Sequence, residues 1–206
     1  MPIVAKRIEE QFSLGLWKID EEIPFFESSI TYRSSASSKE RIKQQLAARM
    51  ALDSIHENFP FDLVCLSETG KPMLKDQKIK FSLSHCNGYA AAIASGIHDV
   101  GIDIEPIHQR VLKVEKKFLH ENELNLLVHH KDEKRIEYLT LLWSLKESLY
   151  KWWGKGGVDF SNEMKVLSFE ESTNGKAIMQ FSKLPEEQFE LQYFLHDQVW
   201  VTMLCK

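Results

Sequence analysis

The sequence contains little of the material that marks secreted, disulfide-rich or membrane-spanning proteins. It has three cysteines in 206 residues, Cys65, Cys86 and Cys205, which are widely separated and odd in number. Disulfide frameworks and zinc clusters depend on closely spaced or paired cysteines, so neither is expected. No stretch approaches the roughly 20 apolar residues that span a bilayer. Because residues 1–7 also lack an apolar run of signal-peptide length, we expect a soluble cytoplasmic protein with no membrane partner.

The sequence also lacks an excess of positive charge. It contains 26 Lys and Arg against 30 Asp and Glu, which gives a formal net charge of −4. Nucleic-acid-binding domains usually carry a basic surplus or stripe, so we expect no nucleic-acid partner. Hydrophobic residues make up 43% of the chain and charged residues 27%, values typical of a globular protein with a sizeable core.

The hydrophobic periodicity predicts an α+β fold. Short strands are expected over 3–8 and 12–19, and a capping box of Ser37 and Glu40 predicts a helix that ends near His56. The remaining predicted segments are three consecutive strands at 81–84, 89–95 and 100–105, two helices over 110–128 and 133–153, and four strands near 165–169, 176–181, 189–194 and 199–205. The pair Asn174-Gly175 predicts a hairpin turn.

The order of these segments is similar in the two halves of the chain. Each half runs from strand to helix to several strands, so we predict two similar α+β halves, residues 1–100 and 101–206. The second half carries the acidic residues described next. No low-complexity linker separates the halves, and we therefore expect them to pack together with a ligand site in the cleft between them.

The segment from Gly101 to Pro106 contains a pair of acids on a predicted strand. Strand alternation places Asp103 and Glu105 on one face and the two isoleucines between them on the other. Adjacent carboxylates repel each other, and a hard cation such as Mg²⁺, which binds carboxylate oxygens, relieves that repulsion. On spacing alone, the solvated polar face of an edge strand is the better explanation, because strand alternation is common.

The predicted helix over 133–153 has two chemically different faces. One face is an apolar seam of Tyr138, Leu142, Leu145, Leu149 and Trp152. The opposite face carries Trp143, Glu147, Tyr150 and Lys151. Exposed helix faces rarely present both a Trp and a Tyr, so we expect this face to border a partly enclosed site.

Glu147 and Lys151 have a simpler explanation when they are taken alone. An i, i+4 pair on a helix surface is common and is worth about 0.3–0.5 kcal/mol. Combined with Asp103 and Glu105, however, the pair supplies a third carboxylate and a lysine. Three acids with a nearby lysine favour a metal site that handles phosphate groups.

Two glycine-containing segments have alternative explanations. The segment 154–157, Gly-Lys-Gly-Gly, lacks the spacing of a P-loop and follows a helix, so it is better explained as a helix C-terminus. The segment 70–72, Gly-Lys-Pro, is compatible with an ordinary turn, and Ser84-His85 with the end of a strand.

Three blocks of the chain, taken together and in order, resemble the Sfp-type 4′-phosphopantetheinyl transferases. They are Gly70-Lys71-Pro72 followed by 81–85 (Phe-Ser-Leu-Ser-His), then 101–105 (Gly-Ile-Asp-Ile-Glu), then 143–148 (Trp-Ser-Leu-Lys-Glu-Ser) with Lys151. Weaker similarity extends through 44–49. The resemblance implies a monomeric pseudo-dimer of two α+β halves with coenzyme A in the cleft, in agreement with the duplicated pattern.

The resemblance also implies roles for particular residues. It implies a Mg²⁺ site, with Mn²⁺ as an alternative, made of Asp103, Glu105 and Glu147. The implied coenzyme A contacts are Lys71, Pro72, Ser84, His85 and Lys151, with Arg41, Lys43 and Arg49 of the first long helix as further candidates. The implied catalytic residues are Glu147 and Lys151, and Glu147 is open to a role as base, metal ligand or both. Lys146 matches a family position whose role stays open.

The activity implied by the resemblance is a group transfer. The 4′-phosphopantetheine arm of coenzyme A would pass to a serine of an apo acyl or peptidyl carrier protein, with release of 3′,5′-ADP. Two other functions fit the same residues: a non-catalytic coenzyme A or nucleotide-binding module, and a metal-dependent phosphohydrolase. The motifs do not encode which carrier protein, or which biosynthetic pathway, is served.

Overall fold

The computed structural model describes residues 3–206 and confirms the α+β fold class. Its strands are β1 Ile3–Ile8, β2 Ser13–Lys18, β3 Val64–Leu66, β4 Pro72–Leu74, β5 Lys80–Cys86, β6 Tyr89–Ser95, β7 Val100–Pro106, β8 Met164–Phe169, β9 Asn174–Phe181, β10 Gln188–His196 and β11 Val199–Cys205. Its α-helices are α1 Ile23–Ser29, α2 Lys39–Ile55, α3 Val111–Phe118, α4 Leu124–Leu127 and α5 Asp132–Trp153.

Two antiparallel sheets form the middle of the molecule. The first has the strand order β1-β2-β6-β5, the second has the order β7-β11-β10-β9-β8, and β3 and β4 form a separate hairpin. An apolar cluster from β2 and β6 of the first sheet and from β7, β10 and β11 of the second fills the space between them. Helix α2 packs on the outer face of the first sheet and α5 on the outer face of the second. The architecture is therefore helix, sheet, sheet, helix.

Strand β6 shows how the sequence produces this layering. All seven of its residues are buried, because both faces of the strand are covered. Alternate residues point to opposite faces, so Ala90, Ala92 and Ala94 contact the α2 side while Ala91 and Ile93 contact the second sheet. Alanine side chains keep the helix and the neighbouring sheet close to the strand on both sides.

The edges of the two sheets meet where β5 lies beside β7. The backbone N–H groups of Ile102 and Ile104 on β7 donate to the hydroxyl oxygens of Ser82 and Ser84 on β5, each at 3.2 Å. Serine side chains thus satisfy β7 donors that have no strand partner on that side. This junction places the predicted acid strand directly against the Ser84-His85 segment.

Several predicted boundaries were wrong. The helix expected over 110–128 is interrupted, because Leu119 and His120 are extended and the His120 side chain caps a 3-10 turn over Glu121–Glu123. The N-cap of α2 is Ser38, whose hydroxyl accepts from the Arg41 N–H, and not Ser37. Asn174 and Gly175 lie inside β9, so the turn precedes them.

The three strands expected between 81 and 105 do form, but they do not belong to one sheet. Strands β5 and β6 pair with each other, whereas β7 pairs with β11 in the second sheet. The first sheet is thus drawn from residues 3–95 and the second from 100–205. The division into two similar halves at residues 100 and 101 stays a prediction. Within residues 3–206, every helix is too short or too polar to cross a bilayer.

Candidate active site

A cavity of about 320 Å³ opens at the junction of β5, β7 and α5. It is lined by Leu83, Ser84, His85, Asp103, Ile104, Glu105, Trp143, Glu147 and Lys151. The structure therefore brings together the strand-borne acids and the helix-borne Glu147 and Lys151, which lie more than 40 positions apart in the sequence.

The side-chain directions follow from the periodicity of each element. Ile102 and Ile104 of β7 are buried between the sheets, while Asp103 faces α5. On α5, four of the five residues of the predicted apolar seam are fully buried and Trp152 is partly buried. The opposite face places Trp143, Glu147 and Lys151 on the cavity, as the helical spacing predicts.

Asp103 is the most enclosed of the three acids, with 5% of its surface exposed. Its Oδ1 accepts from the Lys151 Nζ at 2.7 Å and from the Ser84 Oγ at 3.0 Å. Its Oδ2 accepts from the Ser144 Oγ at 2.8 Å. Because Lys151 Nζ also donates to the Ser84 Oγ at 2.8 Å, the three side chains form a closed charged triangle.

A buried polar network behind Asp103 was not predicted from the sequence. Ser144 Oγ lies 2.9 Å from the Thr202 Oγ1, and Ser148 Oγ donates to the Thr202 carbonyl at 2.8 Å. These three residues are fully buried and hold α5 against β7 and its neighbour β11. The available signal was two serines, one turn apart, beside the apolar seam of this helix.

For the other two acids, Glu105 and Glu147, burial and neighbouring acids make ionisation unfavourable. Burial, together with the charges of Asp103 and Glu147, raises the pKa of Glu105 to about 7, with Lys151 acting in the opposite direction. Burial and the charge of Asp103 likewise raise the pKa of Glu147 to about 7. Lys151 therefore neutralises part of the negative charge in this cavity, and Glu105 and Glu147 are left for a further cation.

The donor chemistry of this cavity suits a hard divalent cation. Three carboxyl groups line one space, and two of them have raised pKa values because they are buried and lie near other carboxylates. As they stand, however, no three His, Cys, Asp or Glu side chains within residues 3–206 are close enough to hold a metal ion. Asp103 is also engaged in hydrogen bonds, because its oxygens accept from Lys151 and two serines. Joint coordination requires the three acid side chains to move closer together.

The raised pKa values predict a pH-dependent stability in metal-free buffer. Since the native pKa of Glu147 is about 7 and its ordinary value is 4.5, the native state binds more protons than the unfolded state between these values. The free energy of unfolding must then fall as the pH rises from 4.5 to 7. We expect Glu147→Gln to match the wild type near pH 4.5 and to exceed it by about 1–3 kcal/mol at pH 8 in chelator-treated urea titrations. If the variant were less stable than the wild type by the same amount at both pH values, the ionised Glu147 would not be what destabilises the protein at high pH.

A second cavity, of about 240 Å³, adjoins the first through Lys151. Lys71, Pro72 and Tyr150 contribute to its walls. Lys71 Nζ donates to the Trp152 carbonyl at 3.3 Å, and the Thr69 hydroxyl donates to the Gly154 carbonyl at 2.5 Å. The Gly-Lys-Pro turn is thus fastened to the C-terminal end of α5, which Gly154 terminates in a left-handed conformation.

Of the candidate coenzyme A residues, those on β5 line the acid cavity and those on α2 do not. His85 lines the acid cavity, and burial followed by the positive charges of Lys151, Arg41 and Arg49 lowers its pKa. A histidine with a lowered pKa is neutral near pH 7. The positive charges around His85 therefore come from Lys151, Arg41 and Arg49, and they favour a bound anion.

Lys43 and Arg49 do not line either of these cavities. Lys43 Nζ pairs with Glu22 at 3.2 Å, and the Arg49 guanidinium lies 3.4 Å from the centre of the Tyr32 ring. Arg49 also donates to the Gln45 carbonyl at 2.9 Å. Their predicted contact with coenzyme A stays a prediction.

Comparison with known proteins identifies the family. The model of the 4′-phosphopantetheinyl transferase superfamily matches residues 99–204, which is slightly more than half of the chain. The chain belongs to this superfamily. The match includes β7, α5 and all but the last residue of the second sheet, and therefore the three acids and Lys151.

Curated relatives agree with the Sfp-type resemblance. The 4′-phosphopantetheinyl transferase gsp of Aneurinibacillus migulanus is 38% identical over 90 residues, which cover 44% of this chain and 37% of the relative. The 4′-phosphopantetheinyl transferase Sfp of Bacillus subtilis strain 168 is 34% identical over 90 residues, covering 43% and 40%. The 4′-phosphopantetheinyl transferase psf-1 of Bacillus pumilus is 30% identical over 122 residues, covering 58% and 48%. The matched part spans less than half the length of these relatives.

Proposed function

We propose that this protein transfers the 4′-phosphopantetheine arm of coenzyme A to a serine of an apo carrier protein and releases 3′,5′-ADP. One observation carries the proposal: β7 and α5 place Asp103, Glu105, Glu147 and Lys151 around a single cavity. That cavity adjoins a second one with Lys71 on its wall. A donor that contains a diphosphate requires acids that hold a cation and, next to them, lysines that bind phosphate.

The proposed cofactor is Mg²⁺, with Mn²⁺ as an alternative, because both prefer oxygen ligands. Asp103, Glu105 and Glu147 are the residues that would hold it. When bound, such an ion supplies positive charge to the diphosphate of coenzyme A. The raised pKa values of Glu105 and Glu147 support this proposal, since a bound cation would offset both the cost of burying these charges and their repulsion by neighbouring acids.

The protein's own side chains suit two parts of the transfer. Lys151 is fixed by Ser84 and Asp103 at the point where the two cavities meet, and its ammonium group can stabilise charge on the departing 3′,5′-ADP. Glu147, with a pKa of about 7, can accept the proton of the attacking carrier serine near neutral pH. Lys71, Pro72, Ser84 and His85 are proposed to position coenzyme A, because each lines one of the two cavities.

The proposed setting is a monomer acting in the cytoplasm on an acyl or peptidyl carrier protein. Both walls of the cleft come from this one chain, so a second copy is not needed to complete the site. The three cysteines are all free, which suits a reducing compartment. The likeness to named phosphopantetheinyl transferases supports the carrier-protein partner.

The decisive experiment measures the mass of the acceptor. The protein is incubated with coenzyme A, Mg²⁺ and a panel of apo acyl and peptidyl carrier proteins, and each carrier is analysed by intact-mass spectrometry. We expect a gain of one phosphopantetheine group on at least one carrier and equimolar release of 3′,5′-ADP. Unmodified carriers with intact coenzyme A would support a binding module instead. Consumption of coenzyme A without labelling would support a phosphohydrolase.

Two of the basic candidate residues, Lys71 and Lys43, should differ in their effect on the affinity for coenzyme A. Lys71 lies on the cavity wall, whereas Lys43 is paired with Glu22 away from it. Since a charge-assisted hydrogen bond contributes roughly 1.5–3 kcal/mol, we expect Lys71→Ala to raise the Kd for coenzyme A about tenfold or more. The matched change Lys43→Ala should leave the Kd within about twofold. Calorimetric titration of both variants checks this, and equal losses of affinity would contradict the assignment of Lys71 to the site.

A further inference from the structure

The fold contains a buried ion pair that the proposed chemistry does not use. Lys146 is fully buried, with 0% of its side chain exposed, and its partner Glu123 is 1% exposed. The Lys146 Nζ donates to the Glu123 Oε2 at 2.7 Å, to the Phe118 carbonyl at 2.6 Å and to the Phe160 carbonyl at 3.0 Å. All three ammonium protons therefore have acceptors, and Lys146 lines neither cavity of the cleft.

Glu123 is satisfied as completely as Lys146. Its Oε1 accepts from the Val166 N–H at 2.7 Å, and its Oε2 accepts from the His120 N–H at 2.6 Å in addition to Lys146. Burying two charges is favourable only when such hydrogen bonds satisfy the remaining polar atoms. The pair therefore fixes the geometry of every segment that contacts it.

Those segments include the two residues that hold Trp143. Phe118 and Phe160, whose carbonyls bind Lys146, pack on Trp143 with ring centroids at 5.1 and 5.6 Å. Trp143 in turn lines the acid cavity beside Glu105 and Glu147. One turn of α5 thus carries a wall residue of the cavity at 143 and, at 146, the lysine that anchors the two neighbours of that wall.

We propose that Lys146 and Glu123 are positioning residues that hold Trp143 as a wall of the acid cavity. They act through Phe118 and Phe160, and neither residue touches substrate. Lys146 is adjacent to Glu147 in the sequence, but Glu147 lines the acid cavity while the Lys146 side chain is buried against Glu123 and the Phe118 and Phe160 carbonyls. The effect on turnover rests on the proposed transferase function, whereas the effect on Trp143 does not.

The structural arm of the test follows Trp143 directly. The protein contains five tryptophans, so incorporation of 5-fluorotryptophan gives five fluorine resonances, and the one missing in Trp143→Ala is that of Trp143. We expect Lys146→Met to shift or broaden the Trp143 resonance and to leave that of Trp17, in the first sheet, unchanged. Lys134→Met, which removes an exposed lysine of the same helix, should move neither. An unmoved Trp143 resonance in a folded Lys146→Met protein would overturn the proposal.

The kinetic arm tests whether Lys146 acts through Trp143. We expect Lys146→Met to lower kcat for carrier labelling at least about tenfold while the KM for coenzyme A changes less than about twofold. In the Trp143→Ala background the same substitution should have little further effect, because coupled residues are not additive. Losses that multiply in the double variant would overturn the proposal.

A second variant keeps the proposal testable if Lys146→Met does not fold. If Lys146→Met does not fold, Glu123→Gln, which keeps the side-chain shape and an oxygen acceptor for one of the two backbone N–H groups, serves in both arms. If the wild type labels no carrier, the proposed function fails, and the fluorine spectra still decide the position of Trp143.

Discussion

Replacing Gly101 by alanine is expected to destabilise the protein by about 3 kcal/mol and to reduce carrier labelling to background. Gly101 lies on the face of β7 that meets α5. A methyl group at this position would overlap the Ser148 carbonyl oxygen and would lie 2.7 Å from the Trp152 N–H nitrogen and 2.9 Å from its Cβ. Two of these atoms belong to the helix backbone, so the helix as a whole must move away from the strand. That movement separates Glu147 and Lys151 from Asp103.

The matched control is Gly96→Ala. Gly96 is also a non-helical glycine, but a methyl group there meets only the Lys78 carbonyl at 4.0 Å, an ordinary contact. Urea unfolding midpoints of the two variants give the stability change, and the carrier mass assay gives the transfer. A Gly101→Ala protein with wild-type stability and labelling would show that α5 does not need this close approach to hold the acids together.

The local chemistry of the site could be predicted because it depends on short periodicities. Two-residue alternation placed Asp103 and Glu105 on one face of β7, and helical spacing placed Trp143, Glu147 and Lys151 on one face of α5. Each pattern is a property of one element. The further step, that the two faces meet, was inferred from the combination of three acids with a lysine and from the family resemblance, and not from periodicity.

The partners of Asp103 could not be predicted, because they depend on contacts between sheets. Ser84 reaches β7 only because the edges of the two sheets lie side by side, and Thr202 reaches α5 only because β11 pairs with β7. The same reason explains the strands between 81 and 105. Their local pattern gave their positions, but the transfer of β7 to the second sheet is decided by packing far along the chain.

The placement of Lys43 and Arg49 shows a related limit. Their predicted role rested on weak similarity along α2, which did not fix which residue matches which family position. The residues that contact them, Glu22 and Tyr32, lie around α1, a short helix that the sequence pattern did not reveal. In the same way, the role of Lys146 was open because its partner Glu123 lies in a 3-10 turn inside a region predicted as one continuous helix.

Glu147→Gln is expected to lower kcat for carrier labelling by roughly 10²–10³-fold, the size of effect seen when a positioned acid–base or electrostatic group is lost. In the wild type, kcat/KM should rise as the pH passes through the pKa of Glu147, because the base must be ionised; this pKa is about 7 in the metal-free protein and lower once a cation is bound. Glutamine has a similar shape and cannot titrate, so the profile of the variant should be flatter. The exposed Glu121 provides a matched control, and Glu121→Gln should leave both the rate and the profile unchanged.

Metal affinity separates the two roles that Glu147 could have. Binding of Mn²⁺ to each variant, measured by electron paramagnetic resonance, reports the ligand role without any turnover. If Glu147 is chiefly the base, the Mn²⁺ affinity should fall less than about tenfold, because Asp103 and Glu105 still supply carboxylate oxygens to a hard cation. Loss of Mn²⁺ binding together with rates restored by saturating Mn²⁺ would instead assign Glu147 to the metal alone, and another group would have to take the serine proton.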